Sequence, residues 1–363
     1  MSNKLIGILF LLLPLLPARA QTFEYGVDFT YFFDNLEYGD GDRNTGFDPA
    51  MTLNAMRLTP EIGLGLSGGC LSHRLMAGID VVKDMGSGLK NKELFREITA
   101  YYTVDASLRD GRSHLSAVAG IFPRTFSKAP FNPVFFDESI LFYDNNFEGF
   151  FFRYDSPRLY ADLGLDWTGQ YGGGGDPSRR ERFMVLSYGR WNFAGPVDLE
   201  WTVRMDHFAG SPLRWGVVDN DLLSPMVSWH PDNTALDLVN VSAGGVFSYQ
   251  YDRRPGNLVT GGGFLTRQKL EKKHVGIDNI FYAGSDLMPF HDIYGSDLYL
   301  AEDCYHTRCT GTSWCDQLHL YFSPHIADWL ALTVAFAFHF GESVDGSPVL
   351  RGWQQMLSLK IDL

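Results

Sequence analysis

Several segments of this chain alternate apolar and polar residues with a period of two, and that period constrains the fold more than any other feature. Leu330, Leu332, Val334, Phe336, Phe338 and Phe340 interleave with Ala331, Thr333, Ala335, Ala337 and His339. The last segment sets Leu357, Leu359, Ile361 and Leu363 against Ser358, Lys360 and Asp362. The same pattern runs through 197–206, 159–168 and 97–108. Successive side chains of a strand point to opposite faces, so each set covers one side of a pleated sheet.

Alternation alone fits a soluble sandwich as well as a membrane barrel. Two further features favour the barrel. The apolar faces end in large aromatics, as girdles at a membrane interface require, and aromatics make up 15% of the chain. The connections also alternate between tight and long. Gly or Pro turn signals stand at 67–69, 109–111, 155–157, 194–196, 254–256 and 323–325. Longer polar connections lie near 36–50, 84–94, 125–146, 171–181, 210–236, 271–316 and 341–348. The expectation is an all-β fold: a transmembrane antiparallel up-and-down barrel of about 14 strands, with short periplasmic turns and long extracellular loops.

The first twenty residues agree with export. Lys4 precedes an apolar run from Leu5 to Leu16, and Ala18-Arg19-Ala20 supplies a small-x-small cleavage pattern. Residues 1–20 are therefore expected to be a cleaved signal peptide and 21–363 a single barrel domain. No later apolar run has the about 20 residues of a spanning helix, a test that barrels escape because their faces alternate. A formal net charge of −13 argues against nucleic acid as a partner.

The short-turn and long-loop rhythm, the leader and the final amphipathic strand together resemble porin-type outer-membrane proteins. The stretch from Ile121-Phe122-Pro123-Arg124 to Arg180-Glu181-Arg182-Phe183-Met184 is further similar to barrels of Bacteroidota. Such barrels commonly end in Phe or Trp, where this chain has Leu363. The resemblance implies residence in the outer membrane, contact with its lipid and lipopolysaccharide, and insertion by the barrel-assembly machinery. It also implies passive diffusion of small hydrophilic solutes.

The polar phase of the strands places Arg57, Glu61, Arg74, Asp80, Glu97, Asp105, His114, Arg153 and Asp155 toward the lumen. Asp162, Asp166, Asp198, Glu200, Arg204, Asp206, His319 and Lys360 share that phase. On the lipid side a midplane Arg or Lys would cost about 2–4 kcal/mol, so inward is the physical default. The lining leans acidic, and a weak cation preference is expected. The structural alternative is a filled lumen in which opposite charges pair. The loop 125–146 carries Pro130, Phe131, Pro133, Phe135 and Phe136, too apolar for a solvated surface loop. It is read as folding inward to form a constriction, with Asp137, Glu138 and Asp144 near the axis.

Cys304, Cys309 and Cys315 are candidates for one disulfide in the longest loop, whereas Cys70 lies at the other end. No metal or cofactor is assigned: the acidic turn at 40–44 lacks the Gly and Glu of a calcium loop, and the cysteine–His306 spacing fits no familiar zinc pattern. No Gly-x-Ser-x-Gly elbow, His-Glu-x-x-His helix or other nucleophile–base pairing is legible, so no catalytic residue is expected. The rival to a channel is a plugged barrel whose long loops, 271–316 above all, bind at the surface or serve secretion.

Overall fold

The computed structural model describes residues 21–38, 50–87, 94–130, 132–137, 139–232, 234–295, 298–306, 313–342 and 348–363. The expected leader, the acidic turn 40–44, Phe131, Glu138 and Cys309 lie outside the described residues. Chain order gives β1 (Gln21–Tyr38), β2 (Met51–Gly68), β3 (Leu71–Asp84), β4 (Phe95–Ser107), β5 (His114–Pro123) and β6 (Asn146–Asp155). Then come β7 (Leu159–Gly169), β8 (Arg182–Ala194), β9 (Val197–Phe208), β10 (Val218–Trp229), β11 (Leu238–Asp252) and β12 (Asn257–Lys272). β13 (Val275–Gly284), β14 (Trp314–Phe322), β15 (His325–Ala327), β16 (Leu330–Glu342) and β17 (Pro348–Asp362) follow.

Every pairing among the described residues is antiparallel, and β1 pairs with both β2 and β17, so the sheet closes on itself. β14 pairs directly with β16, and β15 is a three-residue piece beside it. The closed ring therefore has sixteen strands, with one extra. Closure leaves no edge strand unpaired, which a wall surrounded by lipid requires. Seven connections lie at the end that carries both chain ends and eight at the other. There Leu363 accepts from the Val27 amide at 2.9 Å.

The expected count of about fourteen is corrected to sixteen, because two strands lay inside presumed loops. β10 occupies the middle of the connection read at 210–236. At its start Val218 and Leu222 are inward, buried and apolar, while Asp219 and Asp221 face outward, so the polarity there runs against the rule for a barrel wall. β13 lies within the connection read at 271–316, and its hairpin with β12 turns on Lys273-His274, with neither Gly nor Pro to mark it. Lys273 sits at φ 57°, the one non-glycine residue at positive φ among the described residues. Restoring both strands moves the Arg254-Pro255-Gly256 turn to the long-loop end.

The outward faces carry Leu58, Ile62, Leu64, Leu75, Ile79, Phe150, Phe152, Phe247 and Phe264, all exposed, as a lipid-facing surface requires. The inward faces surround an apolar core, which is unusual for a wide barrel. A ring of this size is too wide for wall side chains to fill. Two loops enter it instead: 124–145, between β5 and β6, and 285–306, between β13 and β14. Val134, Phe135, Phe136, Leu287, Met288, Phe290 and Tyr305 are each at most 2% exposed and pack against Phe122, Phe147, Phe151, Met184, Leu186 and Leu265 of the wall. The loops also hold each other: the Asp137 amide donates to Leu300 O at 2.5 Å and the Glu302 amide to Pro133 O at 3.1 Å.

Candidate functional site

Most inward charges are held by an opposite charge or by hydrogen bonds. Arg57 and Asp80 form a buried bridge at 2.8 Å, and Arg57 also reaches Leu141 O of the first loop at 3.3 Å. Glu61 accepts from Thr99 and Tyr101, each at 2.8 Å. Arg74 faces Asp105 at 3.6 Å, and Asp105 accepts from Ser116 at 2.6 Å. Arg153 donates to the same Ser116 at 3.1 Å, and Glu97 accepts from Asn146 at 2.5 Å. Asp162 gathers Ser127 at 2.6 Å, Tyr160 at 2.7 Å and the Tyr188 amide at 2.7 Å. Asp166 holds Arg124 at 2.7 Å, and Arg204 pairs with Asp206 at 2.8 Å while donating to Phe135 O. Glu200 accepts from Tyr188 at 3.5 Å. His319 stands opposite Asp278, which Arg267 bridges at 2.6 Å. His114 lies opposite Asp155, to which Lys128 reaches at 2.5 Å, and Asp198 meets His230 at 3.0 Å. Lys360 is exposed near the short-turn end, across from Thr30.

The residues expected at a constriction are engaged likewise. Asp144 is bound by Arg124 at 2.9 Å, and the Asp137 carboxylate accepts from the Ser139 amide at 2.8 Å, closing a turn. Cys304 and Cys315 are both buried in the lumenal core, and among the described residues no disulfide joins them. Arg57, Arg153, Asp162, Asp166 and Arg204 of the wall therefore pin the first loop in place.

The outer wall is different. Near the long-loop end, β9, β10 and β11 turn His207, Asp219 and Tyr251 outward on one row, since Asp219 lies opposite both other residues in register. His207 Nδ1 lies 3.0 Å from Asp219 Oδ1, and Arg253 Nε donates to Asp219 Oδ2 at 2.6 Å. A carboxylate only accepts, so in the neutral imidazole the proton sits on Nδ1 and Nε2 presents its lone pair. Phe183 stacks on the His207 ring, with centroids 4.7 Å apart, and Trp167 stacks on Phe183. Phe183, His207, Asp219, Asp221, Tyr251 and Arg253 line an open groove of about 530 Å³, whose apolar side is Val185, Met205 and Tyr249.

His207 is the penultimate residue of β9 and Asp219 the second of β10. That height matters, because charge on a lipid-facing wall costs least near the interface. A histidine oriented by a carboxylate that is itself held by an arginine is a general-base arrangement. With β10 taken for a loop, neither the face of Asp219 nor its pairing with His207 was open to sequence reasoning. The available signal was two carboxylates in the outward phase of a segment that otherwise alternates.

By fold the molecule is a porin-like outer-membrane β-barrel. OmpT, an outer membrane protein of Vibrio cholerae in its trimer form, matches 95% of this chain and 100% of its own at 9% identity and a TM-score of 0.53. Pseudomonas putida OprB covers 100% of this chain and 98% of its own at 10% identity, and Pseudomonas aeruginosa OpdL 94% and 98% at 10%, both with TM-scores of 0.50. The chain belongs to the lipid A 3'-O-deacylase-type family, whose sequence model matches residues 15–342. No curated protein matches it.

Proposed function

We propose that this barrel hydrolyses an acyl ester of an outer-leaflet lipid, of the lipid A class, in the groove at His207 and Asp219. The observation that carries this reading is the His207–Asp219 pair on the outer wall near the long-loop end of β9 and β10. The family's description supports the substrate class. In the proposed reaction His207 Nε2 takes a proton from water as the hydroxide adds to the ester carbonyl carbon. The tetrahedral intermediate then expels the sugar oxygen, which receives that proton from His207. The products are a fatty acid and a free hydroxyl. Asp219 keeps the imidazole in the right tautomer and stabilises its charged form. Val185, Met205 and Tyr249 offer an apolar wall to the acyl chain, and the half-exposed Arg253 offers a cation to the anionic headgroup. Mass spectra of lipid A from cells making the wild type should show species lacking one acyl chain, absent with His207→Ala. Identical spectra from both strains would refute the assignment.

A diffusion channel with weak cation preference is the second reading, supported by the partly exposed Arg74 and Asp105 in the short-turn half of the lumen. It requires the two inserted loops to leave the axis. Export after cleavage at Ala20, insertion by the barrel-assembly machinery and contact with lipopolysaccharide accompany either reading. N-terminal sequencing of the purified protein should begin at Gln21.

A further inference from the structure

We infer that the loop between β13 and β14 binds a divalent transition metal of the zinc class through His291, Asp292 and His306. One ligand atom from each lies within 4.8 Å of the others. The two imidazole rings face each other with centroids 4.8 Å apart, and His306 Nε2 is 4.0 Å from Asp292 Oδ1. This site is separate from the outer-wall groove and does not depend on the hydrolase reading.

Three features make the cluster a ligand set. His306 is 2% exposed, and its Nδ1 lies 3.1 Å from Asp286 Oδ1. A carboxylate behind one ring nitrogen fixes the tautomer and turns the other nitrogen's lone pair forward, the arrangement that supports most metal-binding histidines. Here the other nitrogen, Nε2, lies 4.0 Å from Asp292 Oδ1, so the ring and the carboxylate face a common point. The His291 ring lies beside that of His306, with centroids 4.8 Å apart, so one nitrogen of each and an Asp292 oxygen reach a common point. Two imidazoles and one carboxylate suit zinc; calcium and magnesium prefer oxygen ligands alone.

Geometry allows closure. Bonds of about 2.1 Å to a tetrahedral ion put ligand atoms about 3.4 Å apart. His291 and Asp292 belong to the one-turn helix His291–Tyr294, and Asp292 is largely exposed, so both have room to move about an ångström toward the fixed His306. A metal there would staple residues 291 and 306 together. Tyr294 of the same helix donates to Asp252 at 2.5 Å and packs edge-on against Phe208. The staple would thus stiffen the inner side of β9 and β11.

The test uses the full chain in detergent, stripped with chelator and then titrated with zinc sulfate or calcium chloride. Wild type should retain one zinc per chain after desalting, by mass-spectrometric metal analysis, and its melting temperature should rise with zinc and not with calcium. Asp292→Asn and His291→Ala lie at the accessible side of the cluster and should weaken zinc binding by at least about tenfold while migrating as folded barrels. Asp286→Asn, behind His306, should weaken it by about 10–100-fold. Zinc retained equally by wild type and all three variants, or no zinc retained by folded wild type, overturns the proposal. The second result would leave the three side chains as a polar cluster that ties the loop to itself.

Discussion

Arg124 offers the most exacting test of how the lumen is filled. It follows β5 and begins the first inserted loop, and its side chain is 1% exposed. It bridges Asp166 of β7 at 2.7 Å and Asp144 at the loop's far end at 2.9 Å, and lies 4.8 Å from the Phe147 ring centroid. Arg124→Met preserves bulk and removes charge. Asp166, whose side chain is 2% exposed, would then be buried without its counter-ion. Breaking a buried pair from one side costs about 3–5 kcal/mol, and the lost cation–π contact adds up to about 2 kcal/mol. Arg124→Met/Asp166→Asn should recover most of this, because the asparagine still accepts from the Glu148 amide, which now donates to Asp166 at 2.9 Å. The assay is reversible urea unfolding of the barrel in lipid vesicles, followed by tryptophan fluorescence. A coupling energy of about 2 kcal/mol or more is expected from the double-mutant cycle. A single-variant cost below about 1 kcal/mol, or strictly additive losses, would refute the idea that this buried pair clasps the loop to the wall.

Three other outcomes follow from the same structure. Phe136→Ala should destabilise the barrel by about 3–5 kcal/mol, the cost of a cavity in a packed core, read by the same urea titration. Deleting residues 129–140 should turn a quiet barrel into one with stepwise conductance in a planar bilayer; unchanged conductance would mean that the first loop does not obstruct the lumen. Lys273→Gly should stabilise by about 1 kcal/mol, since glycine occupies φ 57° without the strain a side chain meets there, and a melting temperature that falls would contradict this.

Much of the fold was legible because a lipid-facing wall enforces alternation. The clean period of two in β16 and β17 follows from water or polar partners on one side and hydrocarbon on the other. Legibility failed where the second condition for that rule failed. Val218, Leu222, Ile280 and Tyr282 face inward yet are apolar, because the inserted loops replace water at those positions. The start of β10 and the end of β13 therefore lost their polar phase, and the strands read as loops. The Lys273-His274 hairpin added to the error, since its backbone takes a conformation that the sequence does not advertise. Phe135 and Phe136 signalled that their loop avoids solvent, but a second loop from 160 residues later completing the same core left no local trace. The outer-wall site was hidden by the same lapse. Asp219 belongs to a strand that was not recognised, and its partners His207 and Arg253 come from two others.

The central claim is that His207 and Asp219 form a working general-base pair on the outer wall. Its most direct measurement is the rate of fatty-acid release from lipid A in mixed micelles by purified wild type, Asp219→Asn, His207→Gln and the double variant, all verified as folded barrels. The account predicts turnover by wild type, and losses of about 10²–10⁴-fold for either variant, with the double variant no worse than the single ones. Equal release by all four proteins, or none from folded wild type, would contradict it.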